Sequence, residues 1–342
     1  MEPGVPGSSP GGGTISSTPD TSLLSAQGRY AAHTATACGY AFRSLDGADG
    51  YLFEVCDGDR VATFASGAGT PYALNDARAA SIARDKAFCA EVLREAGVPV
   101  LPGRMFFATK RWAEMRGPGR EPEDALNYAR QAEYPLFCKP VSASNGLHAE
   151  VVESTKAFAD YLERVEREHF AILVQPFVRA VEYRVFVLEG RALFSYRKSA
   201  PVVVGDGLRT LAALVAAMPR EAGALAPKPR ARDNAGHLLA VDAVLSFGAR
   251  ATLEGPANRA AGGGASALRD GASENLERIA LAATDAMSLR LAGVDIFDLS
   301  GDGRDLAVIE VNSNPMIATL EDHGRWDLIE AIWRANFEAA LR

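Results

Sequence analysis

The sequence predicts a mixed α/β (α+β) protein with more than one lobe, and three observations carry this prediction. Residues 81–96 and 156–168 place apolar side chains at the spacing of helices that are buried on one face. Several short apolar runs between and after them have the length and composition of strands. The chain has 342 residues, 48% apolar and 23% charged, which is ordinary for a packed globular protein of about two or three domains.

The N-terminal part of the sequence divides into two segments. Residues 1–22 consist mainly of Gly, Pro, Ser and Thr, so we expect a disordered tail there. They lack the apolar segment that a signal peptide needs. From residue 23 to residue 75, short apolar stretches alternate with turn dipeptides such as Asp46-Gly47, which predicts a small N-terminal lobe of α/β or β-rich structure.

Helices and strands then alternate up to residue 200. The helix predicted over residues 81–96 ends at Gly97, with Pro99 just beyond, and carries Lys86 near its start. A second helix is predicted over residues 156–168. Strands are predicted over residues 105–107, 136–141, 171–175, 181–189 and 192–198. The last two strands flank Gly190, which predicts a hairpin.

The C-terminal part begins with runs rich in Gly, Ala, Pro and charge. We expect these runs, residues 219–236 and 255–271, to be surface loops. A helix is predicted over residues 274–291. A final hairpin follows, because the strand-like runs 294–299 and 306–312 flank the turn dipeptide Asp302-Gly303.

Charge and cysteine content argue against several classes of function. The 36 Lys and Arg residues against 43 Asp and Glu give a net charge of −7, so we expect no nucleic-acid partner. The four cysteines are widely spaced, which predicts free thiols in a reducing compartment and therefore a cytoplasmic protein. No apolar run approaches membrane-spanning length. The five histidines show no spacing typical of ligands or nucleophiles, so we expect surface side chains.

The final hairpin brings two acidic residues together. With the 302–303 dipeptide at the centre of the turn, counting outward along the strands sets Asp295 directly opposite Glu310. Asn312 is two residues beyond Glu310 and therefore lies on the same face of the hairpin. The sequence thus predicts two carboxylates and one amide in a row.

A bound cation would explain this arrangement. In the predicted register Leu306 and Val308 lie below the acids on the same face, so the carboxylates stand at the end of an apolar surface. Opposed carboxylates repel each other, and burying them unpaired is costly. Two acids and one amide suit Mg²⁺ completed by water and phosphate. The alternative is a solvated hairpin, because moving the turn by one residue would pair Asp295 elsewhere.

Two earlier segments place polar groups where apolar strands end. The run 136–140 contains Lys139 and leads into small residues, 142–146, whose amides and hydroxyls could surround phosphate oxygens. Alone, such a lysine is usually a strand-end charge. In the run 173–178 an apolar strand emerges into a polar crossing that contains Pro176, and such a backbone edge can pair with an adenine.

Together and in this order, the segments resemble the ATP-grasp superfamily, and specifically its carboxylate–amine ligase branch, which includes glutathione synthetase, the ribosomal-protein glutamate ligases and cyanophycin synthetase. The resemblance covers about residues 75–335. It is carried by residues 84–102, 136–146, 173–184, 203–211 (VVGDGLRTL), 258–263 (NRAAGG), 295 and 310–315 (EVNSNP). It implies an ATP-grasp domain over 76–335, with two mixed lobes clamping ATP: residues 136–200 contain the nucleotide-binding lobe, and 201–335 form a C-terminal lobe with the metal site.

The resemblance also implies roles for single residues. The phosphates of ATP would contact Lys86, Lys139, Ser144 and Gly146. The adenine and ribose would contact Gln175, Val178 and Glu182. Two Mg²⁺ ions, for which Mn²⁺ could substitute, would be held by Asp295, Glu310 and Asn312. The catalytic residues would be Lys139, Arg197 and Asn258. The substrates would contact Arg184, Lys198, Gly262 and Gly263.

The function implied is ATP-dependent amide formation. A substrate carboxylate attacks the γ-phosphate, and the resulting acylphosphate reacts with an amine, which leaves ADP and phosphate. The partners would be small-molecule acids and amines, such as amino acids or a small peptide, without nucleic acid or membrane; assembly into a homo-oligomer stays open. One alternative is a non-catalytic ATP-binding protein on the same fold. Another is a kinase or biotin-carboxylase-like enzyme, which the segments around Gly205 and Asn258 disfavour.

Overall fold

The computed structural model describes residues 23–67, 72–144, 146–219, 228–254, 263–266 and 268–342. In these ranges the fold is mixed α/β, as the sequence predicts. The helices are α1 (Ala26–Cys38), α2 (Ala77–Arg84), α3 (Lys86–Glu95), α4 (Pro122–Gln131), α5 (Thr155–Val165), α6 (Leu211–Ala216), α7 (Glu274–Ala286), α8 (Ala318–Asp322) and α9 (Trp326–Ala340). None of these helices combines the length and the apolar character needed to span a membrane.

The strands of the described residues form four sheets in which neighbours run antiparallel. The N-terminal sheet contains β1 (Ala41–Ser44), β2 (Leu52–Asp57) and β3 (Arg60–Ala65). The second sheet has the order β4 (Arg104–Phe107), β7 (Ala171–Pro176), β5 (Leu136–Pro140) and β6 (Glu150–Val152). The small sheet has the order β10 (Val202–Val204), β12 (Arg250–Leu253) and β11 (Ala231–Arg232).

The largest sheet has six strands. Its order is β13 (Gly264–Ala265), β9 (Arg191–Ser199), β8 (Val181–Leu188), β15 (Leu291–Asp298) and β16 (Leu306–Asn312), with β14 (Arg269–Asp270) also paired to β9. One face of this sheet packs on α7, where Ile279, Val294 and Ile296 share one buried cluster. The hairpin predicted at Gly190 joins β8 and β9, with Leu188 opposite Arg191.

The four-stranded sheet packs on α4 and α5. Phe106 of β4 and Val174 of β7 are buried against Phe158 and Tyr161 of α5. This separate core explains how Lys139 on β5 and Gln175 on β7 are held as neighbours at the same edge of the cleft described below.

The N-terminal sheet shares its core with the C-terminal helix. Phe53 and Phe64 pack on Trp333 and Phe337 of α9, with ring centroids 5.8–5.9 Å apart for three of these pairs. Tyr30 of α1 joins the same cluster. Residues 23–75 therefore complete their core with a helix from the other end of the chain.

Two predicted helix boundaries were wrong. Residues 81–96 form parts of two helices rather than one, because Asp85 has an extended backbone and its carboxylate caps α3 by accepting from the N–H groups of Ala87 and Phe88. Lys86 is consequently the first residue of α3. The helix predicted to reach residue 291 ends at Ala286, and Leu291 already begins β15.

The two predicted loops are only partly described. Within 219–236 and 255–271 the structure contains the short strands β11, β13 and β14, which pair with neighbouring strands rather than standing apart as loops. Residues 220–227, 255–262 and 267 lie outside the described residues, as does the predicted tail over 1–22.

Candidate active site

A cleft of about 1840 Å³ is lined by residues of the four-stranded and six-stranded sheets. Lys139 on β5 and Gln175 on β7 line it from the first sheet, and Glu182, Asp295 and Glu310 line it from the second. The residues that the sequence singled out for chemistry therefore meet in one cavity, although they come from segments more than 150 positions apart.

The final hairpin places Asp295 directly opposite Glu310, as predicted. The strand pairing that brings these two acids together differs from the predicted pairing. The next pair along the hairpin is Ile296 with Val308, so Ile309 is an extra residue that forms a β-bulge. The strand pairing next to the turn is also shifted by one residue from the predicted pairing, because the N–H of Leu299 bonds the carbonyl of Asp305 and Leu306 pairs with Asp298. This shift and the bulge compensate for each other at the acids.

The bulge makes one part of the predicted face wrong. Val308 pairs with Ile296, and both Leu306 and Val308 belong to the core under α7 rather than to the face of Asp295. The turn itself is held by the buried Asp298, whose carboxylate accepts hydrogen bonds from the backbone N–H groups of two glycines, at 301 and 303. Asp298 thus stabilises the turn, and the acids above it keep their alignment.

Arg184 and Lys198 contact both oxygen atoms of Asp295. Arg184 lies opposite Asp295 on β8 and donates from Nε to Oδ1 and from Nη2 to Oδ2, each at 2.7 Å. Lys198 Nζ donates to Oδ2 at 2.8 Å. Burial alone would raise the pKa of Asp295, but the two cations outweigh it and hold this pKa below its ordinary value. Asp295 is therefore a carboxylate, although it is only 2% exposed.

Lys198 also joins Glu182 to this group. Its Nζ donates to Glu182 Oε1 at 2.5 Å, so a single ammonium bridges two carboxylates. Burial raises the pKa of Glu182, and the charge of Lys198 acts in the opposite direction. Arg197 also lines the cleft, but β9 alternates its side chains, so Arg197 extends from the other face of the sheet, opposite Tyr183, and is exposed. The geometry thus favours Lys198 over Arg197 as the cation beside the acids.

Of the three predicted metal ligands, Glu310 and Asn312 are less engaged by cations than Asp295 is. Asn312 Nδ2 donates to Glu310 Oε1 at 3.1 Å, and Lys86 Nζ lies 3.8 Å from Glu310 Oε2. Burial opposes ionisation of Glu310, but the charges of Lys86, Lys139 and Lys198 together outweigh it, and the pKa of Glu310 falls below its ordinary value. The residues fit Mg²⁺, because carboxylate and amide oxygens from opposed positions are the donors that this ion prefers.

Lys139 is a buried cation without a close anion. It is 5% exposed, and among the described residues it has neither an ion pair nor a hydrogen bond; its Nζ lies 5.9 Å from the ring centroid of Phe137. Burial lowers the pKa of Lys139, and the charge of Glu310 is the strongest influence in the opposite direction. An uncompensated ammonium in a cleft is suited to an anionic ligand.

The predicted phosphate loop lies between Lys86 and Lys139. Ser144 and Gly146 line the cleft, whereas Asn145 between them lies outside the described residues. Lys86 Nζ donates to the carbonyl of Ala143 at 2.5 Å. The start of α3 is tied to the end of β5 as well, through the backbone N–H of Lys86 and the carbonyl of Val141.

The predicted adenine edge is also in the cleft. Gln175 is 3% exposed, and its side chain crowds Gly103, where an added Cβ would meet its Cγ at 2.9 Å. Val178 lines the cleft, and its backbone N–H makes no hydrogen bond to another described residue. Gly263 lines the cleft too, while Asn258 and Gly262 lie outside the described residues.

The GDG element has a structural role in its own sheet. Gly205 packs on residues 245–249, where a Cβ would meet the carbonyl oxygen of Ser246 at 2.3 Å. Asp206 accepts hydrogen bonds from the N–H groups of Leu208 and Arg209, which closes the turn. The close approach to residues 245–249 therefore explains Gly205 without a ligand.

Sequence reasoning missed a second charged group at the cleft wall. The carboxylate of Glu254 accepts hydrogen bonds from three arginines, Arg179, Arg230 and Arg232. Arg179, Arg232 and Glu254 line the cleft. The only feature of the sequence that pointed to this group was the RAR run at 230–232, which by itself is typical of a solvated strand.

The comparisons with known proteins confirm the resemblance to the ATP-grasp superfamily. Within that superfamily, residues 242–335 match the family of RimK-like ATP-grasp domains. The chain is 25% identical over 258 residues to the glutathione biosynthesis bifunctional protein GshAB of Streptococcus mutans, a match that covers 68% of this chain and 32% of that protein. It is 30% identical over 213 residues to GshAB of Mannheimia succiniciproducens, covering 54% and 28% respectively. The chain thus spans about a third or less of these curated relatives.

Two solved structures are similar to the chain. The bifunctional glutathione synthetase from Pasteurella multocida superimposes with a TM-score of 0.47 at 21% identity, over 90% of this chain and 43% of that one. The D-alanine–D-alanine ligase from Bacillus anthracis superimposes with a TM-score of 0.45 at 15% identity, over 76% of this chain and 68% of that one.

Proposed function

We propose that the protein is an ATP-dependent carboxylate–amine ligase that forms an amide through an acylphosphate and releases ADP and phosphate. One observation carries the proposal: four cations, from α3, β5, β8 and β9, converge on three carboxylates in a single cleft. The members of this charged cluster are Lys86, Lys139, Arg184, Lys198, Glu182, Asp295 and Glu310. The cluster has an excess of one positive charge before any ligand binds, which suits a polyphosphate.

The nucleotide would lie along the four-stranded sheet. Gln175 and the free backbone N–H of Val178 would bind the adenine, and Glu182 the ribose hydroxyls. The phosphates would then extend toward Lys139 and the loop that contains Ser144 and Gly146. Support comes from the lining of the cleft, where Gln175 and the buried Lys139 lie on the side of the four-stranded sheet and Glu182 lies on the side of the six-stranded sheet.

The chemistry requires no protein nucleophile. An oxygen of the substrate carboxylate attacks the γ-phosphorus, the bond to the β–γ bridging oxygen breaks, and ADP leaves with that oxygen. The amine then attacks the acyl carbon, phosphate leaves, and the amine loses a proton. Lys86 and Lys139 would offset charge on the transferred phosphoryl group, and Arg184 and Lys198 would keep Asp295 ionised and aligned.

Asp295, Glu310 and Asn312 would hold Mg²⁺, which when bound neutralises phosphate charge and orients the γ-phosphate. We propose two ions, with Mn²⁺ able to replace Mg²⁺. Arg184 and Lys198 occupy both oxygens of Asp295, so Glu310 and Asn312 offer the more accessible donors.

The substrates would be amino acids or a small peptide that enter beside Arg184, Lys198 and the glycines at 262 and 263. We propose no nucleic-acid or membrane partner and a cytoplasmic protein; whether copies of the chain assemble is a separate experiment. The net charge of −7 supports the first of these proposals.

One observation favours a second candidate, a nucleotide-binding protein without ligase activity. Asp295 already accepts three hydrogen bonds from cations, and a metal would have to share its oxygens with them. A protein that only binds the nucleotide would not need Asp295 to give up its hydrogen bonds with these cations.

A matrix of amino acids and small carboxylic acids, assayed with and without added amines for ADP and phosphate, tests the proposal. A ligase releases phosphate only when both an acid and an amine are present. ADP formation that needs one acceptor alone indicates a kinase. ATP binding without ADP formation across the matrix would favour the non-catalytic candidate.

A further inference from the structure

A cluster of two histidines and one glutamate lies outside the cleft. One ring nitrogen each from His148 and His169 and one carboxylate oxygen of Glu168 lie within 4.8 Å of one another. His148 Nε2 is 3.3 Å from Glu168 Oε2, and the two imidazole rings meet edge to face with centroids 5.3 Å apart. The cluster joins the turn before β6 to the segment that leads into β7.

We propose that His148, Glu168 and His169 bind a divalent transition-metal ion such as Zn²⁺. Two imidazoles and a carboxylate are a donor set that suits this ion and leave a fourth position for water. Tetrahedral ligands at about 2.1 Å from an ion lie roughly 3.4 Å from each other, which the pair of His148 and Glu168 already satisfies. A ring nitrogen of His169 lies within 4.8 Å of both of these ligand atoms.

A buried, unsatisfied nitrogen supports the proposal independently. Nε2 of His169 is shielded from solvent and finds no hydrogen-bond partner among the described residues. Leaving such a group unpaired is energetically costly. A surface ion pair between His148 and Glu168 would explain those two side chains, but it would leave the nitrogen of His169 unexplained.

The backbone holds His148 in position. Tyr161 is fully buried, and its hydroxyl donates to the carbonyl of His148 at 3.0 Å. The neighbouring residues Leu147 and Ala149 line the cleft, whereas His148 does not. The ion would therefore sit behind the loop that contains Ser144 and would tether the end of that loop to residues 168–169, apart from the magnesium ligands.

The test uses the full chain, stripped with a chelator and titrated with Zn²⁺ by calorimetry in excess Mg²⁺, and with Co²⁺ by visible absorption. We expect one ion per chain. His148→Asn, which tolerates the positive φ of 52° at this position, and His169→Gln should each weaken binding at least about 100-fold. Hydrogen exchange of residues 146–149 should slow when Zn²⁺ is bound.

Two control variants should bind as the unaltered chain does. His237→Gln removes an exposed histidine whose ring pairs with Asp233, and Cys38→Ser removes a partly exposed thiol. Unaltered Zn²⁺ binding in His148→Asn and His169→Gln, or loss of binding in either control, would overturn the proposal. If the histidine variants do not fold, Glu168→Gln decides: its side chain is 59% exposed, and we expect at least tenfold weaker binding.

Discussion

Arg184 and Asp295 form a two-point ion pair across neighbouring strands, with Nε to Oδ1 and Nη2 to Oδ2 both at 2.7 Å. The two residues occupy directly opposed positions on β8 and β15, and Glu310 occupies the next position across the same sheet on β16. One row of the sheet thus carries a cation and two carboxylates in sequence. The cation offsets the repulsion between the two acids, which is why they can stand together in the absence of a ligand.

This pair predicts that Asp295→Asn destabilises the protein. The change leaves Arg184 without its carboxylate partner and removes one of the two acids bound by Lys198, and breaking a buried ion pair from one side costs about 3–5 kcal/mol. We expect a loss of unfolding free energy near the lower end of this range, because Glu182 still pairs with Lys198. Urea unfolding at neutral pH measures this loss, with Asp302→Asn in the exposed turn of the same hairpin as the control.

The pH dependence of this difference follows from the lowered pKa of Asp295. A depressed folded-state pKa stabilises the folded chain at pH values above the unfolded value, ordinarily 3.8, and this contribution is lost as pH falls toward the folded value. The gap in unfolding free energy between the unaltered chain and Asp295→Asn should therefore be constant near neutrality and shrink below about pH 3.8. A gap that is independent of pH down to acid unfolding would contradict the ion-pair account.

Glu310→Gln should separate the metal role from stability. Among the described residues Glu310 accepts no hydrogen bond from a cation, and the ammonium of Lys86 lies 3.8 Å away. We expect turnover to fall about 100-fold or more, as on removal of a group that stabilises transition-state charge, while the melting temperature stays close to that of the unaltered chain. Steady-state kinetics with saturating Mg²⁺ measures this, again with Asp302→Asn as control. Normal turnover in this variant would show that Glu310 is not a metal ligand.

Lys139→Met should stabilise the free protein and weaken ATP binding. The substitution removes a buried charge that has no close anion and keeps the length of the side chain, so we expect a gain of about 1 kcal/mol in unfolding free energy. We also expect ATP affinity to fall about tenfold or more. Calorimetry and urea unfolding check the two effects, with Lys156→Met as control because Lys156 is exposed and pairs with Asp160. Unaltered ATP affinity would show that Lys139 has a structural role and does not bind ATP.

Glu182→Ala should raise the KM for ATP more than it lowers kcat. Ribose contacts persist from the ground state to the transition state, so their loss is felt in binding. The variant also frees Lys198 from one of its two carboxylates, and Asp295 still holds this ammonium. Steady-state kinetics with varied ATP measures the split. A lowered kcat with unchanged ATP affinity would indicate that Glu182 belongs to the acid- or amine-binding site and not to the ATP site.

The hairpin shows what the sequence could and could not predict. The pairing of Asp295 with Glu310 was predicted correctly, although the predicted hairpin had a two-residue turn and regular strands. The structure has a wider turn, held by Asp298, and a bulge at Ile309. Nothing in the local pattern marks Ile309 as an extra residue, because an isoleucine fits a regular strand equally well. The bulge also moved Leu306 and Val308 to the opposite face.

Long-range packing was the other part that the sequence could not supply. The strands of residues 41–65 were predicted as a small lobe, yet their core is completed by Trp333 and Phe337, nearly 300 positions away. The same holds for His148 and His169, which looked like isolated surface histidines. They meet because β5 and β7 are neighbours in one sheet, a pairing that periodicity does not specify.

Interception of the acylphosphate is the decisive test of the proposed ligase activity. The protein is incubated with Mg-ATP, hydroxylamine and a pool of amino and small carboxylic acids, and the hydroxamates and the nucleotide product are then identified, with Glu310→Gln in parallel. The account predicts hydroxamate and ADP in equal amounts, both dependent on the acid and both lost in Glu310→Gln. Formation of AMP and pyrophosphate would contradict it, because the acid would then be activated as an adenylate rather than by attack on the γ-phosphate.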